Sequence, residues 1–321
     1  MTDGSASRTA LSTALMRALH TRKDRPQLVD DPWGDTLVAP AEKTALYRRI
    51  LAGARPETRV RFEALGSEQA VIDIALRAHP SYGGVVVRTR YAEDALEAAV
   101  QRGVRQYVLI GAGFDSFIVR QPPFAREVAI FEIDHPATQA MKQGRLDACG
   151  AAIPPNVHFV PADLAAESMA SVLARCGFSR TAPAFFSWLG VTIYLTRETN
   201  LATLAGIAES AAPGSEVVFT YIDQRALEDG SSDTMARMRA ARAAENEPWV
   251  SGFDPTSLAD DVRALGLEVV EDLGSSGLSE RYLAGRTDGL LLGGAGHIAR
   301  ARVVATPEVC VAVLPSRPHT R

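Results

Sequence analysis

From residue 106 onward the chain alternates in a way that leaves few folds open. Short apolar runs at 106–110, 127–133, 157–160, 184–189 and 215–221 are separated by helix-like stretches at 115–120, 136–148, 165–176 and 197–210. Strands joined through helices run parallel, and a parallel sheet is covered on both faces, so its strands read as continuous apolar runs. The expectation is an α/β fold with a Rossmann-like sheet. Two more strands are expected at 265–273, "LGLEVVEDL", and 297–305, "HIARARVVA". The turn-like "LLLGGAG" before the last one allows it to pair antiparallel.

The first hundred residues follow a different period. Segments at 8–20, 41–52, 60–79 and 92–102 carry apolar residues at helical spacing, as in Val60, Ala64, Val71, Ile74 and Ala75. Residues 1–100 therefore read as a helical cap and 101–321 as the sheet core. At 321 residues and 46% apolar content the two can share one integrated domain.

Charge and punctuation narrow the partners. A net charge of −4 with interspersed basic residues offers no cationic stripe for a phosphate backbone, so nucleic acid is not expected. The start of the chain lacks an apolar run long enough for a signal sequence, and no stretch of about 18 apolar residues occurs, so no membrane span and a cytoplasmic location are expected. Cys149, Cys176 and Cys310 form no C-x-x-C pair and read as buried reduced thiols; no metal is expected. Nothing in the pattern specifies an oligomeric state.

In open α/β sheets a ligand sits beyond the carboxyl ends of the strands, so the residues ending each strand carry the functional reading. Gly111-Ala112-Gly113 follows the strand "QYVLI" and precedes a helix, where glycine permits a tight turn and close approach to a ligand. The third glycine of a dinucleotide fingerprint is replaced by Ser116. Asp115 would repel a pyrophosphate and compete for the same backbone N–H groups. Glu132 and Asp134 end the second strand, about twenty residues on, where an acid can hold ribose hydroxyls. Asp163 follows the third strand. Four carboxylates at neighbouring strand ends suit a ligand with a ribose and positive charge, such as S-adenosyl-L-methionine. An NAD(P)-dependent oxidoreductase and a non-catalytic nucleoside-binding protein are the alternatives.

Five segments, "VVVRTRYAEDAL", "QYVLIGAGFDSFIVR", "FEIDHPATQAMKQGRL", "FVPADL" and "FFSWLGVTIYLT", resemble in order and spacing the motifs of the leucine carboxyl methyltransferase-like family, over roughly residues 10–305. The resemblance implies a class I methyltransferase fold: a seven-stranded sheet with its last strand antiparallel, preceded by a helical cap. It implies S-adenosyl-L-methionine as cofactor, with Arg88 on the methionine carboxylate, Gly111 and Gly113 in the cofactor loop, Asp134 on the ribose, and Asp163 and Leu164 at the adenine. Arg90 is near enough to be confused with Arg88. Lys142 matches a family position but reads as a helical surface lysine. Where eukaryotic members end the fourth strand in an acid, this chain has Leu189, which weakens transfer of their protein substrate.

The implied reaction is methyl transfer to a carboxylate or hydroxyl oxygen of a small-molecule acceptor, in secondary metabolism by analogy with polyketide-pathway members. A carboxylate needs no base, whereas a hydroxyl benefits from one. No base stands in a matched position: His135 and Tyr91 read as structural, although Tyr91, Trp188 and Tyr194 are candidates for the acceptor pocket. With the strand ends occupied by cofactor motifs, the N-terminal helices and an arginine-rich insertion at 225–285 are expected to enclose the acceptor. That segment carries Arg225, Arg237, Arg239, Arg242, Arg281 and Arg286.

Overall fold

The computed structural model describes residues 8–228, 233–244 and 247–305. Six helices precede the first strand: α1 (Arg8–Lys23), α2 (Gly34–Leu37), α3 (Pro40–Gly53), α4 (Pro56–Glu63), α5 (Glu68–Arg77) and α6 (Tyr82–Gln101). The apolar pattern at 60–79 is thus two helices, separated at Gly66, whose φ of 61° ends α4. Helix α6 starts ten residues before its predicted segment and runs under the sheet.

The core follows as β1 (Gln106–Ile110), α7 (Phe117–Arg120), β2 (Ala129–Asp134), α8 (Pro136–Ala148), β3 (Val157–Pro161), α9 (Met169–Ala174), β4 (Ala184–Trp188), α10 (Arg197–Ser210) and β5 (Glu216–Ile222). Then come α11 (Asp233–Ala244), α12 (Leu258–Arg263), β6 (Leu267–Leu273), α13 (Ser275–Tyr282) and β7 (Gly296–Val303). The seven strands form one sheet in the order β3-β2-β1-β4-β5-β7-β6. Strands β1 to β5 are parallel to one another, and β7 is antiparallel to both β5 and β6. The segment 225–285 is not wholly an insertion, because it contains β6, a strand of the sheet.

Central strands β1 and β4 are buried at every position, as a sheet covered on both faces requires. Side chains alternate between two apolar layers. Tyr107, Leu109 and Phe185 pack with α1 and α6, while Val108, Ile110, Phe186 and Trp188 pack with α9, α10 and Phe219 on the other face. Strand order reverses about β1, which pairs with β2 on one side and β4 on the other, so the crevice expected of this architecture opens beyond Ile110 and Trp188.

The thiols differ from expectation. Cys149 is exposed, just past the end of α8, and Cys176 is half-buried, while Cys310 lies outside the described residues. Among the described residues no helix is long and apolar enough to cross a membrane.

Candidate functional site

A cavity of about 210 Å³ occupies the crevice, lined by the β1 end and its loop, Ile110 to Asp115, by Asp134, and by Ser187 and Leu189 to Val191. The loop turns on Gly111 at φ 65°, and a Cβ there would lie 2.6 Å from Val191 Cγ2, so two strand-end loops close over each other only because position 111 has no side chain. The N–H of Gly111 donates to Ile133 O at 2.8 Å, and that of Gly113 donates to the Asp134 carboxylate. Asp134 also accepts from the His135 N–H at 2.6 Å. Burial raises its pKa, and these two backbone donors oppose that rise. Asp134 thereby fixes the loop while presenting carboxylate lone pairs to the cavity.

Ser116, in place of the third glycine, is fully buried, and its hydroxyl accepts from Arg120 Nε at 2.9 Å. Asp115 accepts from the Phe117 N–H at 2.7 Å and lines the cavity. The helical cap closes the site from above. Thr9, Ala10, Thr13 and Arg17 of α1 line the same cavity, and Arg17 is anchored by Asp31 and by the carbonyl of Phe114, both at 2.7 Å. Burial pushes the Asp31 carboxyl up, but Arg17 and Arg120 outweigh it and hold it below the usual carboxylate range. The N-terminal helices were expected to enclose the acceptor; α1 also lines the cavity at the glycine loop.

Beside the paired Arg17, Arg88 is the second cation of the site. It projects from α6 into the cavity and makes no hydrogen bond or ion pair among the described residues. Desolvation and the nearby Arg17 pull its pKa down to about 10, opposed by Tyr194 and Asp115; it remains charged at neutral pH. Arg90, two residues on, points elsewhere and pairs with Asp94, since i and i+2 do not share a helix face.

A second, larger cavity of about 650 Å³ adjoins the first and shares Thr9, Thr13, Arg88, Gly190 and Tyr194 with it. Its wall is mainly apolar, including Val85, Val87, Ile193, Leu278, Leu292 and Ile298. Tyr194 stands at the junction, its hydroxyl 3.4 Å from that of Thr9.

The structure thus brings Arg88, Gly111, Gly113, Asp115, Asp134 and Tyr194 to one place and leaves other predicted residues outside both cavities. Glu132 shares a sheet face with Asp134 but lies two residues deeper, beneath α8, where it pairs with Lys142 at 2.6 Å. Lys142 is fully buried, not a surface lysine. Burial pushes the Glu132 carboxyl up to about 7 despite the opposing pull of Lys142. Glu132 is therefore structural and cannot reach a ribose in the crevice.

Trp188 is fully buried in the opposite layer, because the cavity face of β4 belongs to Ser187 and Leu189. Tyr91 is buried behind the site, donating to Glu271 at 2.6 Å, and lines neither cavity. Asp163 accepts from the Ala165 N–H at 3.0 Å, Leu164 is half-buried against the core, and neither lines the two cavities. His135 accepts from the Ala137 N–H as the cap of α8.

Of the expected arginines, Arg225 lines the larger cavity 3.7 Å from Asp254. Arg281 pairs with Glu271 and Arg286 with Asp288, and the side chain of Arg242 lies outside the described residues. Sequence reading passed over Thr13, Arg17, Ser187 and Gly190. The alternation along "FFSWLG" points to Ser187 and Leu189, whereas nothing local points to Arg17.

The pattern of the family described as leucine carboxyl methyltransferase matches residues 10–208. A relative from Bacillus subtilis (strain 168), named as the candidate S-adenosyl-L-methionine-dependent methyltransferase YktD, is 31% identical over 296 residues, covering 90% of this chain and 95% of its own length. A relative from Mycolicibacterium smegmatis with the same kind of name is 32% identical over 223 residues, 70% of this chain and 69% of its own. The crystal structure of a candidate methyltransferase from Thermobifida fusca superposes with a TM-score of 0.54 at 15% identity, over 74% of this chain and 88% of that one, a likeness of fold.

Proposed function

Since the chain belongs to the leucine carboxyl methyltransferase family, we propose that it is an S-adenosyl-L-methionine-dependent methyltransferase that methylates an oxygen of a small-molecule acceptor. The observation that carries this reading is the charge set of the narrow cavity: Arg17, already paired with Asp31, and one guanidinium without a protein partner among the described residues, Arg88, beside the carboxylates of Asp115 and Asp134. A ligand that bears a carboxylate, an ammonium, a sulfonium and a ribose diol satisfies all three. Arg88 would grip the carboxylate with two parallel N–H···O bonds, Asp115 would face the positive end, and Asp134 would accept from the ribose. A pyrophosphate would meet two carboxylates instead, which disfavours a dinucleotide.

When bound, the cofactor supplies an electrophilic methyl group. The chain supplies orientation and a site shielded from water, with the α1 helix and Tyr194 covering the crevice. The larger cavity, at about 650 Å³, falls in the range of small-molecule sites and shares Arg88, Gly190 and Tyr194 with the first, which supports reading it as the acceptor pocket.

Calorimetry tests the cofactor and a labelled methyl group tests the reaction. S-adenosylhomocysteine should bind with 1:1 stoichiometry and NAD should not, and label from S-adenosylmethionine should pass to members of a panel of phenols and carboxylic acids. Tight NAD binding, or no binding of S-adenosylhomocysteine, overturns the reading.

A further inference from the structure

Strand β7 enters the sheet at the rim of the larger cavity, and its second residue is His297, paired across the ladder with Tyr221 near the end of β5. The next pair inward is Ile298 with Thr220, whose hydroxyl accepts from the Gly190 N–H at 2.7 Å. Gly190 lines both cavities, and His297, whose side chain lies with Tyr221 on the sheet face opposite Ile298, lines the larger one.

The imidazole is held from several sides. Its Nδ1 lies 3.2 Å from Asp272 Oδ1, and Asp272 Oδ2 accepts from the Tyr221 hydroxyl at 2.6 Å. The ring stacks on Tyr221 with centroids 4.9 Å apart, and Gly274 passes so close that a Cβ there would lie 3.2 Å from Nε2. Burial and Asp272 raise the Tyr221 pKa, so the phenol stays neutral and donates. In a neutral ring, a carboxylate on Nδ1 favours the tautomer whose proton is on Nδ1, and Nε2 has no hydrogen-bond partner among the described residues. A histidine of the cavity wall oriented by an acid, its second nitrogen without a hydrogen-bond partner among the described residues, has the form of a general base.

Besides His79 and His297, the basic side chains that line this cavity among the described residues are two arginines. Among the described residues its arginines are Arg88, which faces the cofactor cavity, and Arg225, which is beside Asp254. A carboxylate acceptor would need a cation and no base; a hydroxyl needs the reverse.

Resting on the methyltransferase reading above, we propose that His297, oriented by Asp272, is the base for an apolar acceptor that is methylated on a phenolic or similarly acidic hydroxyl. As the acceptor oxygen bonds to the methyl carbon, its proton passes to Nε2. The sulfur–methyl bond breaks with its electron pair returning to sulfur, leaving S-adenosylhomocysteine, and the imidazolium afterwards loses its proton to water.

The test compares wild type with His297→Gln and Asp272→Asn on three probes: an alkylphenol, its nitrophenol analogue, which ionises by itself, and an arylcarboxylate. Loss of a base predicts a fall in kcat of about 100-fold or more on the alkylphenol for His297→Gln. A smaller fall is expected for Asp272→Asn, little change on the nitrophenol, and unchanged affinity for S-adenosylhomocysteine. Without turnover, adding alkylphenol to the protein with S-adenosylhomocysteine should move the ¹⁵N resonance of His297 Nε2. Equal losses on both phenols, a stationary resonance, or a wild type that methylates only the carboxylate each overturn the base assignment while leaving the methyltransferase reading in place. Failure of wild type to bind S-adenosylhomocysteine overturns both.

Discussion

The guanidinium of Arg88 lies against the α-carbon of Gly190, where a Cβ would stand 2.5 Å from Nη1 and 2.7 Å from Nη2. Gly190 also has a φ of 72°, which disfavours any side chain there. Gly190→Ala should therefore displace the guanidinium and weaken S-adenosylhomocysteine binding in calorimetry. Arg88→Gln should weaken it at least tenfold, through loss of charge-assisted bonds worth roughly 1.5–3 kcal/mol each. Adenosine, which has no carboxylate, should bind both variants as it binds wild type; a matching loss for adenosine would remove Arg88 from the carboxylate.

Asp134 and Glu132 end the same strand and should separate cleanly. Asp134→Asn should weaken adenosine and S-adenosylhomocysteine alike, because the ribose is common to both. Glu132→Gln should leave these affinities nearly unchanged in protein that remains folded. An affinity loss confined to Glu132→Gln would reverse the two roles.

The buried Glu132–Lys142 pair carries a pH signature. Its carboxyl rests at about 7 in the folded chain against 4.5 ordinarily, burial outweighing the attraction of Lys142. Between those values the native state holds a proton that the unfolded state has released, so this group's contribution to stability falls as pH rises from 4.5 to about 7. Melting curves of Glu132→Gln should decline less across that window than those of wild type. Parallel curves would exclude the assignment. Lys142→Met, which leaves the carboxyl without its partner, should cost about 3–5 kcal/mol once Glu132 is ionised.

Gly84 lines the larger cavity on α6, and a Cβ there would meet nothing within 4 Å. Gly84→Ala should leave turnover intact and raise stability by about 0.5–1 kcal/mol, the usual gain from replacing a helical glycine. Gly84→Leu should lower kcat/KM for bulky acceptors without changing S-adenosylhomocysteine affinity. Unaltered selectivity in the leucine variant would place the acceptor elsewhere.

What the sequence by itself determined is the part governed by local periodicity. Alternating strands and helices require a parallel sheet, glycines after β1 mark a turn that needs positive φ, and a strand that ends in an acid places that acid at the crevice. Asp134 and Gly111 were legible for that reason, whereas Arg88 was legible only through the family resemblance. Tertiary packing alone decided the rest. Glu132 and Asp134 are both acids on one face of β2, and only the seating of α8 over the deeper one, with Lys142 reaching down to it, makes the first a core ion pair and leaves the second lining the cavity. Arg17 reaches the crevice from a helix ninety residues upstream of the glycine loop, and Asp272 meets His297 only because β6 and β7 pair antiparallel. Such long-range contacts depend on which surfaces pack together in space, which no local pattern encodes.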